Sequence, residues 1–252
     1  MKAFLMRYGE TVMVPIALTL IYISFVITAD AHGASLIVAV GFFAFVMFLW
    51  FTFRRLKLHA QASRLAGIGD PDGLLALVKR ELPRMITDAG RRPLYVHAAV
   101  AHNLQRDFAA ARRELDRSGF LKQRGRHGRG WIALASATDV TTRSEQGDLA
   151  GARASYDRGV VPFVALAPFG GMELVARECE ARLRLGDGDP AGARTLLTPL
   201  IKNIRLSDAT RAQVHALLAR AAVALDEPAV AAAHAEQART LAPQCKLLPD
   251  GS

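Results

Sequence analysis

Cysteine is nearly absent: Cys179 and Cys245 are the only two in 252 residues. Neither belongs to a CxxC pair or a metal-ligand spacing, so the sequence offers neither a disulfide framework nor a cysteine-bound zinc site. Aromatic residues are also few, at 7% of the chain, which argues against the rows of stacking rings that grip single-stranded nucleic acid. No segment alternates apolar and polar residues as a half-buried strand does. No Asn-Gly turn joins two apolar runs. The phosphate loop GxxxxGK[ST], GxGxxG after a strand, the zinc motif HExxH and the nucleophile elbow GxSxG are all missing. The sequence therefore yields no catalytic residue, no cofactor or cofactor-binding residue and no metal ligand. A binding or assembly function is expected rather than a reaction.

The remaining candidates for chemistry read the same way. His97 and His102 are five apart and do not share a helical face. His215 and His234 fall on helices expected to pair, but no carboxylate or cysteine completes a ligand set. Glu178 and Glu180 are two apart on a helix and point in different directions. Cys179, between them, reads as a small core residue.

What the chain does have is two long apolar runs. Thr11–Ala29 and Ala34–Phe53 are separated only by Asp30-Ala31-His32-Gly33. A bilayer-spanning helix needs about 20 apolar residues, so the pair predicts a transmembrane hairpin over residues 1–53. A second full-length run argues against a cleaved signal peptide. Lys2 and Arg7 precede the hairpin, Arg54, Arg55 and Lys57 follow it, and its turn has neither Lys nor Arg. By the positive-inside rule both termini face the cytoplasm, at an inner membrane of bacterial type. Trp50, Arg54, Arg55 and Lys57 are the expected interfacial anchors. No acid or base lies centrally in either run, which points to anchoring rather than transport.

The rest of the chain carries the charge. Lys and Arg number 32 against 23 Asp and Glu, a net +9. The first 53 residues contribute two of each sign, so the remainder keeps the whole excess. Its richness in Ala, Leu and Arg favours helix. The densest basic segment, Lys122 to Gly130, is interrupted by glycines and predicts a loop. Lys122, Arg124, Arg126 and Arg129 are the candidates for contact with an anionic lipid surface. Nucleic acid is the alternative for so basic a chain, but the segment has no interleaved aromatic residue.

Self-comparison shows a repeat. Gly69-Asp70, Arg106-Asp107, Gly147-Asp148, Gly188-Asp189 and Asp226-Glu227 mark five copies, with steps of 37, 41, 41 and 38 between the acidic residues. Such a period signals stacked helical hairpins. Where the first residue of a pair is Gly, it can end the preceding helix in a left-handed conformation without a Cβ penalty. The acid caps the next helix, and Pro71, Pro190 and Pro228 occupy its first turn. Four positions after the acid stands a small residue, Ala111, Ala152, Ala193 or Ala231, where the paired helix approaches. Leu74 fills that place in the first copy, which should pack less tightly.

These residues resemble the tetratricopeptide repeat family. Second helices give Ala111-Leu115-Ser118, Ala152-Tyr156-Gly159 and Ala231-Ala235-Ala238 followed by Pro243. The first helix with Tyr95, Ala98, Ala99 and His102 fits the family's spacing too. Longer steps, Pro199 within a second helix, and Pro162 and Pro168 in a connection depart from it. The order of a hairpin followed by repeats is also similar to HemY-type inner-membrane proteins, which implies an accessory role in a membrane-associated biosynthetic pathway.

The expected fold is all-α: a two-helix transmembrane hairpin, a tetratricopeptide-like solenoid of about five helical pairs over residues 54–245, and a tail over 246–252. No Pro interrupts the chain between Ala34 and Gly67, so one helix should run from the second apolar run into the first repeat. The first helices, above all Tyr95–Arg106 and Thr210–Leu225, should line a concave face that holds a protein or peptide partner. The expected role is a membrane-anchored scaffold or adaptor.

Overall fold

A computed structural model describes residues 34–123, 128–164 and 172–247, with side chains placed from Gly41 onward. The described residues are helical throughout, with no strand among them. The chain divides into two units between Gln61 and Ala62.

The first unit is represented by most of α1 (Ala34–Ile68), a single unbroken helix. Phe42, Phe45, Phe48, Phe51 and Phe53 are exposed along it. The apolar run Thr11–Ala29 lies outside the described residues, and so do the side chains at the start of the second run. Within what is described, no helix is long and apolar enough to cross a membrane.

Among its described residues the second unit holds the last turns of α1, some shorter helical turns, and nine further helices of seven residues or more. They are α2 (Pro71–Glu81), α3 (Asp88–Leu104), α4 (Phe108–Ser118), α5 (Arg129–Glu145), α6 (Leu149–Ser155), α7 (Met172–Gly186), α8 (Pro190–Ile201), α9 (Asp208–Ala224) and α10 (Pro228–Leu241). Helix α6 passes into a π-helical turn, Tyr156–Val160, and a short helix, Val161–Val164. Pro199 is accommodated inside α8, which ends two residues later.

The repeat is visible in the backbone. Gly69, Gly147 and Gly188 have φ of 73°, 79° and 80°, and Arg106 and Asp226 occupy the same place at 60° and 57°. All five turns thus use one left-handed residue, although two pay the steric cost of a side chain, about 1–2 kcal/mol each. The next residue caps. Asp70, Asp107, Asp148 and Asp189 each accept a hydrogen bond from the backbone N–H three residues on, at 2.8–2.9 Å. Glu227, one methylene longer, makes no such cap and instead meets Arg194 of α8. The small residues Ala111, Ala152 and Ala193 are fully buried. Leu74 is fully buried as well, so the larger residue is accommodated in the first copy.

From α2 onward each helix packs on its chain neighbour, and α3, α5, α7 and α9 also pack on one another in that order. Glycine permits one of the closest approaches: a Cβ on Gly159 would sit 1.8 Å from Ser136 Oγ of α5. Between the helices run apolar clusters, including Val96, Leu115 and Phe120, then Val140, Val160 and Leu183, then Leu197, Val214 and Leu217. The far end of the unit returns to its beginning. Backbone N–H of Lys246 donates to the Leu104 carbonyl at 2.8 Å, and Cys245 Sγ to that of Gly69 at 3.4 Å. Residues 245 and 246 therefore belong to the packed unit.

Candidate functional site

Counting back from the left-handed residue of each turn gives every first helix the same register. Positions thirteen, ten, nine, six, three and two before it lie on one helical face, because 3.6 residues make a turn. That face lines a cavity of about 280 Å³. The nine-back position supplies His97, Thr138 and Cys179; the six-back position supplies Ser63, Val100 and Thr141. Asn103 stands at three-back. Thr210 and Gln213 of α9 close the far side. Of the two first helices expected to line an inner face, Tyr95–Arg106 contributes His97, Val100, Asn103 and Leu104, and Thr210–Leu225 contributes Thr210 and Gln213.

The polar side chains around this cavity are held in place. Asn103 Nδ2 donates to the Thr138 carbonyl at 3.1 Å, and its Oδ1 accepts from Thr142 Oγ1 at 3.0 Å. His97 is buried edge-on against Trp131. Cys179 is buried among Val140, Val160 and Leu183. Burial and the adjacent Glu178 push its thiol far above the ordinary range, so it is protonated and unreactive. This agrees with the core role expected from its sequence context.

Glu178 leads from the cavity into a buried ion cluster. Its Oε1 accepts from Arg182 Nη2 at 2.9 Å. Arg182 Nη1 lies 3.2 Å from Glu145 Oε1. Glu145 also meets Arg220 of α9 and, at 3.3 Å, Arg106 of the α3–α4 turn. Burial by itself would raise the Glu145 pKa; Arg182, Arg220 and Arg106 outweigh it and hold the carboxyl below the ordinary range. Three guanidiniums from three parts of the chain thus converge on one carboxylate that is 9% exposed. A second buried carboxylate, Asp139, is held by Arg112 at 2.8 Å, Arg143 at 2.9 Å and the Ser155 hydroxyl. Sequence reasoning missed both clusters. The available signal was Asp139, Glu145 and Arg182 standing within otherwise apolar first-helix faces, where burial requires charged residues to find partners.

Glu180 turns away from Glu178 and pairs with Arg184 at 3.0 Å, as their spacing required. His215 and His234 do meet, Nδ1 to Nδ1 at 3.0 Å, so one ring donates and the other accepts. Burial, chiefly, lowers both pKa values, helped by Arg211 at His215 and Arg194 at His234. Among the described residues no three His, Cys, Asp or Glu side chains are grouped to hold a metal ion.

Of the candidate lipid contacts, Lys122 closes a 3-10 turn, Phe120–Lys122, and is exposed, and Arg129 begins α5 and is half-buried. Arg124 and Arg126 lie outside the described residues. Trp50 and Arg54 are half-buried on α1, and Arg55 and Lys57 are exposed there. No family model, curated protein or solved structure matches the chain.

Proposed function

We propose that this chain is a membrane-anchored interaction scaffold. Its apolar N-terminal runs form a transmembrane hairpin, and its tetratricopeptide-like repeats hold a short segment of a protein partner at the inner membrane. The observation that carries the reading is the shared register of the cavity: the same helical face of α1, α3, α5 and α7 lines one space. A cavity of about 280 Å³ suits a few side chains of an extended peptide rather than a whole helix, and mostly apolar walls with a few fixed polar groups suit recognition. Anchoring the scaffold confines the partner to two dimensions and raises its effective concentration. The hairpin rests on the two runs of about 20 apolar residues and the Lys and Arg that flank them.

A photo-crosslinking residue at Val100, in cells, tests the cavity. A discrete adduct is expected, and filling the cavity by Thr141→Trp should abolish it while the protein still accumulates in the membrane. An adduct that persists in the filled variant would place the partner elsewhere.

A further inference from the structure

The polar groups on one side of the cavity are acceptors. Thr138 and Thr141 are three residues apart and so share a face of α5. Both have already donated their hydroxyl protons, Thr138 Oγ1 to the Leu134 carbonyl at 2.7 Å and Thr141 Oγ1 to that of Ala137 at 3.3 Å. A hydroxyl whose proton is engaged still carries two lone pairs, so each threonine presents an acceptor to the space it lines.

Glu178 adds a charge. It is 8% exposed, and its Oε1 takes both bonds from Arg182, Nε at 3.2 Å and Nη2 at 2.9 Å. No hydrogen bond reaches Oε2 from any described residue. Among the described residues the sealed side-chain atoms without a partner are His102 Nδ1, Ser144 Oγ and Arg211 Nε. Glu178 Oε2 is not one of them, so it still touches open space, and the space that Glu178 lines is the cavity. Its one basic partner among the described residues, Arg182, is shared with Glu145 at 3.2 Å. No Lys or Arg stands among the described residues that line the cavity, and Glu178 is the one carboxylate there.

We infer that the cavity binds a primary alkylammonium group. An ammonium has three donors and no acceptor, which suits a carboxylate oxygen beside threonine acceptors. Its hydrogen bond to Glu178 Oε2 is charge-assisted and gains strength away from water. The alkyl stem lies along Val100, Leu134 and Val175, as the stem of a lysine does when its head alone is polar. An anion would meet Glu178 with no Lys or Arg on the wall to offset it. A neutral alkyl chain would cover Oε2 and leave it unpaired. Two sources carry this group, a lysine side chain of a protein partner and a free amine. In the first case the inference rests on the scaffold reading above and names the side chain that the cavity receives.

The test is equilibrium dialysis of the detergent-solubilised full chain against butylammonium, butanol and butyrate. Butylammonium should bind saturably and about tenfold more tightly than butanol, and butyrate should not bind. Thr141→Trp, which fills the cavity, should abolish the saturable binding and so separates it from uptake by detergent. Glu178→Gln should abolish the preference for butylammonium over butanol, and Thr141→Val should reduce it about threefold. Butylammonium bound no better than butanol overturns the inference, as does an undiminished preference in Glu178→Gln. Where that variant fails to fold because Arg182 has lost its partner, an undiminished preference in Thr141→Val overturns it instead. A short blocked alanine peptide with one central lysine distinguishes the sources: binding about tenfold tighter than butylammonium assigns the site to a protein side chain, and equal binding to a free amine. The crosslink at Val100 reads the scaffold separately. An adduct without ammonium preference keeps the scaffold and removes this inference, and ammonium binding without an adduct does the reverse.

Discussion

The two buried carboxylates of the repeat unit, Asp139 and Glu145, sit six residues apart on one helix and solve the same problem in different ways. Asp139 is held by Arg112, Arg143 and Ser155, all from the two copies that α5 joins. Glu145 is held by Arg106, Arg182 and Arg220, from the copies before and after it and from the last one. The first cluster reinforces a local hairpin pair. The second ties together helices 39 and 75 residues apart in sequence across the inside of the unit. A repeat protein built only of neighbour contacts would not need the second kind; the Glu145 cluster, together with the return of residues 245 and 246 to the first two turns, couples distant parts of the unit.

The sharpest way to break that comparison is Glu145→Ala. It strands three guanidiniums, one of them buried, and should cost about 3–5 kcal/mol, read as a drop in the thermal midpoint of the detergent-solubilised chain. Asp139→Ala should cost a similar amount. The two differ in reach: loss of Glu145 should raise hydrogen exchange in α9, whereas loss of Asp139 should leave α9 protected. Equal exchange patterns would dissolve the distinction. Gly159→Ala forces a methyl into Ser136 and should cost about 1–3 kcal/mol, with the effect confined to α5 and α6.

Smaller changes probe the turns. Asp189→Ala removes a cap and should cost about 1 kcal/mol, while the same change at Glu227, which caps nothing, should cost less. Asp226→Gly relieves a left-handed residue and should stabilise by about 1 kcal/mol; destabilisation would mean that the Asp226 side chain has a role of its own.

Acid should separate the two regions of the unit. His215 and His234 have lowered pKa values, so the unfolded chain binds protons first. Stability is complete above the ordinary histidine value of 6.5 and falls as the pH drops below it. Glu145 also has a lowered pKa, and its contribution is complete above 4.5 and lost as the pH falls further. Thermal midpoints measured from neutral to acid pH should therefore decline in two stages, and His234→Gln should remove most of the first. A single decline beginning below 4.5 would show that the histidine pair is unimportant.

Much of this was legible in the sequence because it is local. The turn Gly-Asp-Pro states its own conformation: glycine permits the left-handed residue, aspartate reaches the third backbone N–H, and proline fits the first turn. Hence the copies, the caps and the small residues at Ala111, Ala152 and Ala193 were readable. Arg106 and Asp226 show that the turn is imposed by the pattern around it even where glycine is missing. The long helix Ala34–Ile68 was readable for the same reason, as a stretch without a breaker. The meeting of His215 and His234 followed from helix pairing alone.

The rest depended on residues far apart in the chain. Nothing in the spacing of Glu145 and Arg220 announces a contact, because the two residues are 75 apart and meet only through the packing of the helices between them. The cavity arises in the same way. Each first helix carries its inner face in its own sequence, but only the packing of the helices decides whether such faces open into a groove or surround a space of about 280 Å³. The sequence by itself determined the helices, their caps, their repeat and the apolar runs at the N-terminus, since these follow from neighbours a few residues apart. The tertiary structure alone decided which charges are buried together and where the chain returns to its first turn, since packing angles summed over many helices are written in no single stretch of residues.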